Sequence, residues 1–364
     1  MMSIKTADIS LVAEVERLMS DTRWGETLDA RNPCPEAIAS SGRRLLSRSC
    51  RGRFVLGIML LALLNAWSPW FGQGRPVSIQ SRPDVLNIGY IQYTFYDLQM
   101  NDARVALEMW ASSLINQDES PLKEVDALIF PSVADLQIAI SNEKLDIIIL
   151  GSAEYLRLRN RDLIEPVLAP NSYNSCLQNY ILLIRKDSGI NELAQLRNGR
   201  LLLVLGGEGE LPKVWLETLF LKEGLGNATA FFKEIKPVEK ASKAVLPVFF
   251  RQADVCLATS RSFDSLKELN PQIGNELVAL RISPNLLRGL VCFRKSRTEK
   301  DKKRTLDSML RMHEDPPGKQ IMLLFREERL VPFQDAYLES AKNLLLEFEK
   351  LGSKYASQIK ESHR

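Results

Sequence analysis

Histidine is nearly missing from this chain: 364 residues carry two, His313 and the penultimate His363. That excludes a multi-histidine metal site, which needs several imidazoles brought together. A Ser-His-Asp or Cys-His centre would have to rest on His313, within the charged run Arg311-Met312-His313-Glu314-Asp315 ahead of Pro316. Such composition reads as a solvated turn, so the chain is not expected to be an enzyme. Cysteine is sparse as well, at Cys34, Cys50, Cys176, Cys256 and Cys292. No two form a Cys-x-x-Cys pair, which excludes a zinc ribbon and a thioredoxin-type redox motif. The expected role of these cysteines is that of small buried hydrophobes.

A surplus of one charge is also lacking. Lys and Arg number 48 against 45 Asp and Glu, a formal net charge of +3. Nucleic acid is therefore not an expected partner, because coating it takes a basic excess. Gly206-Gly207-Glu208-Gly209 lacks the Gly-Lys-Ser/Thr ending of a nucleotide-binding loop and is not a dinucleotide fingerprint. No cofactor and no metal are expected. What remains is 45% hydrophobic and 26% charged, the composition of a folded protein long enough for two or three domains.

Residues 54–67 are apolar throughout except for Asn65, and Arg43, Arg44, Arg48, Arg51 and Arg53 precede them with no acidic residue between. A basic flank before a short apolar core is the layout of a secretory signal, and the basic side stays in the cytoplasm. About 50 residues precede the core, more than a signal's basic region holds, unless translation starts close to Arg43. Extended to 54–71, the segment nears the roughly 17 residues that span a bilayer, with Trp67, Trp70 and Phe71 suited to the interface. A cleaved signal and an uncleaved inner-membrane anchor both remain open, after a poorly structured extension of residues 1–53. Either way the body is expected in the periplasm.

From residue 84 the chain alternates strand and helix patterns. Strands are expected over 85–92, 125–130 and 145–150, with helices over 103–115, 133–142 and 153–159; Ser132 is a good N-cap for the second. This β-α-β-α-β-α order implies a parallel sheet with right-handed crossovers. The grammar then restarts, with strands at 180–185, 201–205, 231–235 and 254–258 and helices at 190–196, 213–223, 240–251 and 263–269. Pro212 opens the helix at 213, and Thr259 and Ser260 can cap the helix at 263. Strands at 278–282 and 289–294 follow, and a charged helical pattern, broken by Pro316-Pro317, runs from 300.

Residues 130–156, which include Leu145-Asp146-Ile147-Ile148-Ile149-Leu150-Gly151-Ser152, resemble the first lobe of the phosphate/phosphite/phosphonate substrate-binding proteins of ABC importers. So does Arg185-Lys186-Asp187-Ser188-Gly189-Ile190, while Gln252-Ala253-Asp254-Val255 and Phe263-Asp264-Ser265-Leu266 are similar to the second lobe. The resemblance covers most of 84–345 and implies an α/β type II periplasmic-binding-protein fold, two α/β lobes joined by two crossover segments near 178–185 and 282–290. It implies a first lobe of 84–182 plus 283–364 and a second of 183–282. The implied function is extracytoplasmic capture of a small phosphate- or phosphonate-like solute for an ABC transporter permease. A membrane-anchored periplasmic sensory or accessory module is the alternative, and an enzyme on the same fold is a third reading.

Helix N-termini carry about half a positive charge and unpaired N–H groups, so several converging on a cleft hold an anion without a metal. The resemblance implies ligand contacts at Tyr93, Ser132, Ser152, Gly207, Glu208, Gly209, Thr259 and Ser260. The chain departs from the family where Gly206–Glu210 replaces a Ser/Thr-rich turn, and where Val133 and Gln178 replace tyrosines. Two readings of Glu208 and Glu210 stand. They stabilise the N-terminus of the following helix, or they turn the pocket toward a cationic, zwitterionic or neutral solute unless Lys213 or Lys243 offsets them.

Overall fold

The computed structural model of the protein describes residues 84–92, 105 and 123–362. The expectations for 1–53, for 54–71, for the helix at 103–115 and for Tyr93 lie outside the described residues. Among the described residues, no helix is long and apolar enough to cross a membrane.

The first half runs β1 (Val85–Ile91), β2 (Glu124–Phe130), α1 (Val133–Ser141), β3 (Ile147–Gly151), α2 (Ser152–Arg157), β4 (Ile164–Asn171), β5 (Leu177–Gln178) and β6 (Tyr180–Arg185). Next come β7 (Arg200–Val204), α3 (Leu211–Lys222), α4 (Ala228–Phe231), β8 (Glu234–Val238), α5 (Ala241–Phe249) and β9 (Val255–Thr259). The rest is α6 (Ser260–Leu269), α7 (Pro271–Glu276), β10 (Leu277–Ile282), β11 (Leu286–Leu287), β12 (Gly289–Arg294), α8 (Glu299–Arg311), α9 (Pro316–Leu324), β13 (Arg329–Pro332) and α10 (Glu339–Ser362).

Two principal sheets result, ordered β13-β4-β12-β3-β1-β2 and β10-β6-β9-β7-β8. Each contains three parallel strands with the first in the middle, joined on one side by an antiparallel strand from across the molecule. The sheets are thus mixed: the strands expected at 85–92, 125–130 and 145–150 do pair in parallel, and antiparallel strands from elsewhere in the chain complete each sheet. The antiparallel strands β12 and β6 arrive from the connections between lobes, and local helix–strand alternation carries no trace of that pairing. The connections themselves pair as a two-stranded ribbon, with Leu286 opposite Gln178 and Leu287 opposite Leu177.

The apolar runs become central strands because both faces are covered. Leu201 and Leu203 enter one core with Trp215 and Phe220, whereas Leu202 and Val204 enter another with Val245 and Phe263. That split follows the two-residue period of a strand. Four strands, β4, β5, β11 and β13, escaped the pattern. β4 contains Pro166 and Pro170, residues that disfavour a central strand, and its pairing with β12 shifts register between Val291 and Cys292. β13 is four residues at a sheet edge. Cys256 and Cys292 are fully buried core thiols, both pushed up by burial.

The last helix, α10, packs mainly on α3 and also reaches α2. Its Ala341, Leu344, Leu345 and Phe348 follow one helical stripe and share a core with Trp215, Phe220 and Phe231 beside the second sheet.

Candidate functional site

The loop between β7 and α3 is where the sequence departs most from the family, and its two glycines shape it. Gly207 has φ +75° and Gly209 φ +63°, the left-handed region where a side chain is strained. A Cβ on the neighbouring Gly206 would lie 2.4 Å from the carbonyl oxygen of Glu239. These turns send Glu208 and Glu210 in different directions. The Glu210 carboxylate receives the guanidinium of Arg157 in α2, and the Glu210 N–H donates to Glu154 Oε1 at 3.1 Å. The loop is thereby tied to the helix that follows β3 of the other sheet.

Glu208 turns inward and is 8% exposed. Gln178 Nε2 and Tyr180 OH both donate to its Oε2, the latter at 3.1 Å. Burial pushes the Glu208 carboxyl above the usual range, with Arg288 and the two donors pulling it down and Glu327 adding to the rise. Tyr180 is raised well above its ordinary value, first by burial and then by the Glu208 charge. Arg288, in the second connection, forms an ion pair with Glu327 and donates to the Phe325 carbonyl at 2.9 Å. Ser172, in the first connection, donates to Glu327 Oε2 at 2.6 Å. Two carboxylates and one guanidinium thus meet at the connections between the sheets.

Of the hydroxyls expected to cradle the ligand, those of Ser132, Ser152 and Thr259 have partners within the protein. Ser152 Oγ donates to the Leu287 carbonyl at 2.6 Å and its N–H donates to the Arg288 carbonyl, which clamps the second connection. Ser132 accepts from the Asp135 N–H at 3.2 Å and Thr259 from the Ser262 N–H at 3.2 Å, each capping its helix. Ser260 donates its N–H to the Asn179 carbonyl at 3.0 Å. Of the two glutamates, Glu210 stands at the N-cap of α3, where its charge suits the helix N-terminus although its side chain makes no cap bond, whereas Glu208 turns to Gln178 and Tyr180 instead. Neither expected lysine offsets Glu208. Lys243 pairs with Glu239 at 3.0 Å, and Lys213, lowered by burial, lies in the field of Glu210 and Glu154. The cation facing Glu208 is Arg288.

A family model described as ABC transporter, phosphonate, periplasmic substrate-binding protein matches residues 117–338. The chain belongs to this family. As a member of the phosphonate-binding family it is a solute-binding transport protein with an extracytoplasmic location. Among solved structures, XAC2383 from Xanthomonas citri bound to ATP is 17% identical, with TM-score 0.54 over 74% of this chain and 98% of that one. PhnD1 from Prochlorococcus marinus in complex with methylphosphonate is 14% identical, with TM-score 0.50 over 72% and 97%. At such identities the likeness shows the fold, that of the type II periplasmic binding proteins. No curated protein matches the chain in sequence.

Arg288 and Glu327 were missed by sequence reasoning. Arg288 did leave a signal, as the one charge within the apolar run Leu286-Leu287-Arg288-Gly289-Leu290. Glu327 left none, being one of several charges in Arg326-Glu327-Glu328-Arg329.

Proposed function

We propose that the cleft captures a small amine-bearing solute, cationic or zwitterionic, and presents it to the permease of an ABC importer. Family membership supplies the transport role, and the buried Glu208 supports the choice of solute. Where an oxyanion would need open donors, Gln178 and Tyr180 are already turned on a carboxylate, and Glu327 adds a second. A dianionic head brought there meets more negative charge than Arg288 balances, whereas an ammonium meets its counter-ions. Gly207, Glu208 and Gly209 stay in this site from the expected set, joined by Gln178, Tyr180, Arg288 and Glu327. The division into a lobe of 84–182 with 283–364 and a lobe of 183–282 is supported by the two sheets, apart from α10, which packs on the second.

Calorimetry with ethylammonium and ethylphosphonate tests the head-group choice. Ethylammonium is expected to bind the tighter of the two at neutral pH; tighter ethylphosphonate would overturn it.

Delivery to a permease requires export, and the five arginines before residue 54 support it. A reporter active only outside the cytoplasm, fused after Arg75, is expected to be active. Activity of a cytoplasm-restricted reporter at the same fusion point would sink the assignment.

A further inference from the structure

The first lobe holds a cavity of about 70 Å³ that adjoins the head-group site, sharing Gly207, Arg288 and Glu327 with it. Its walls are mostly apolar: Ile149 on the sheet side, Met309 on α8, Met312 just past its end, and Ile321 and Met322 on α9. Protein interiors pack to crystal-like density, and voids larger than a water are few. A mostly apolar lining disfavours water, and the well-known engineered cavity that takes up benzene is only about twice this size, at roughly 150 Å³. Three methionines on one wall add adaptability, since the unbranched thioether re-packs around guests of different shape.

The cavity also has an entrance. Gly289 pairs directly with Gly151 across β12 and β3, so neither strand sets a side chain at that point. Gly207, on the loop after β7, lines the cavity as well, together with Arg288 and Glu327. An apolar chamber with a bare glycine mouth and a few charges at its edge is the shape that binds an amphiphilic small molecule.

We propose that this cavity receives a short apolar group, of about two to four carbons, carried by the solute whose charged head lies at Glu208, Arg288 and Glu327. The inference rests on the cleft being the solute site, and it deepens that reading by naming a second part of the ligand. Chain length, not head-group charge, is what it predicts.

The test is calorimetry of the full chain with n-alkylammonium ions and n-alkylphosphonates, each from methyl to hexyl. Within whichever series binds, affinity is expected to rise about fourfold per methylene until the cavity is full, then level off. A flat response from methyl to butyl overturns the inference, whichever head group wins. A preference between the two series judges the head-group reading alone, so the two failures are distinguishable. The cavity-filling variant Ile321→Phe is expected to flatten the dependence on chain length, with butyl affinity falling to that of methyl. Equal loss at every length would overturn the assignment. Should neither series bind, xenon titration of methionine-methyl-labelled protein decides. Saturable shifts at Met309, Met312 and Met322 sustain an accessible apolar site, and their absence overturns it.

Discussion

Replacing Arg288 by methionine is expected to cost the protein about 3 kcal/mol of stability, or roughly 6–12 °C in Tm. The Arg288 and Glu327 side chains are 19% and 7% exposed, so their pairing is largely withdrawn from water. Methionine fills much of the same volume and leaves Glu327 without its guanidinium and Glu208 without its nearest opposing charge. Removing one partner of a buried pair costs more than the pair is worth, because the remaining charge is stranded. The double variant Arg288→Met/Glu327→Gln relieves most of that and is expected to recover at least half of the loss. Thermal unfolding at pH 7 decides it. A single variant as stable as the parent would mean that the ion pair is solvated and that the connections between lobes do not depend on it.

Glu208→Gln carries the largest expected effect on binding. A charge a few ångströms from a ligand is worth on the order of 1–4 kcal/mol between water-like and surface-like dielectrics. Neutralising it is therefore expected to strengthen ethylphosphonate binding by about tenfold or more, and to weaken ethylammonium by a similar factor. The same side chain fixes a pH dependence. Its folded-state carboxyl is raised above the unfolded value by burial. Between those two values the native state holds a proton that the unfolded chain has released. Stability then falls as pH rises from the ordinary glutamate range, about 4.3, through the raised folded value, and no penalty acts below it. The Gln variant lacks this slope. Its stability relative to the parent is expected to improve from acid to neutral pH, as read from denaturant midpoints across that range. An unchanged phosphonate affinity together with parallel pH profiles would show that Glu208 neither sets the head-group preference nor stays buried in solution.

Legibility divided along the reach of the interactions. β3 and β9 were visible as apolar runs because the covering of a central strand on both faces is written into consecutive residues. The caps at Ser132 and Thr259 and the first-turn Pro212 were visible for the same reason, since each acts over three or four residues. The family resemblance rested on runs of this kind in the right order. Hydroxyls that looked like ligand donors also have intramolecular partners, because the same local grammar serves a helix cap or a chain clamp equally well. Ser152 illustrates it: only the folded chain brings the Leu287 carbonyl within 2.6 Å, from 135 residues away.

By itself, the sequence determined the two α/β units, the family, and the conflict between an anion cradle and the acidic loop at Gly206–Glu210. Tertiary structure alone decided what surrounds those carboxylates. Gln178, Tyr180, Arg288 and Glu327 converge on Glu208 from both connections and from the turn ahead of β13, and no spacing rule links them. Those contacts are set by strand pairing across the molecule, which returns β12 beside β3 and β13 beside β4. A carboxylate's neighbours in such a place are chosen by sheet register, and its charge state by how much water that register excludes.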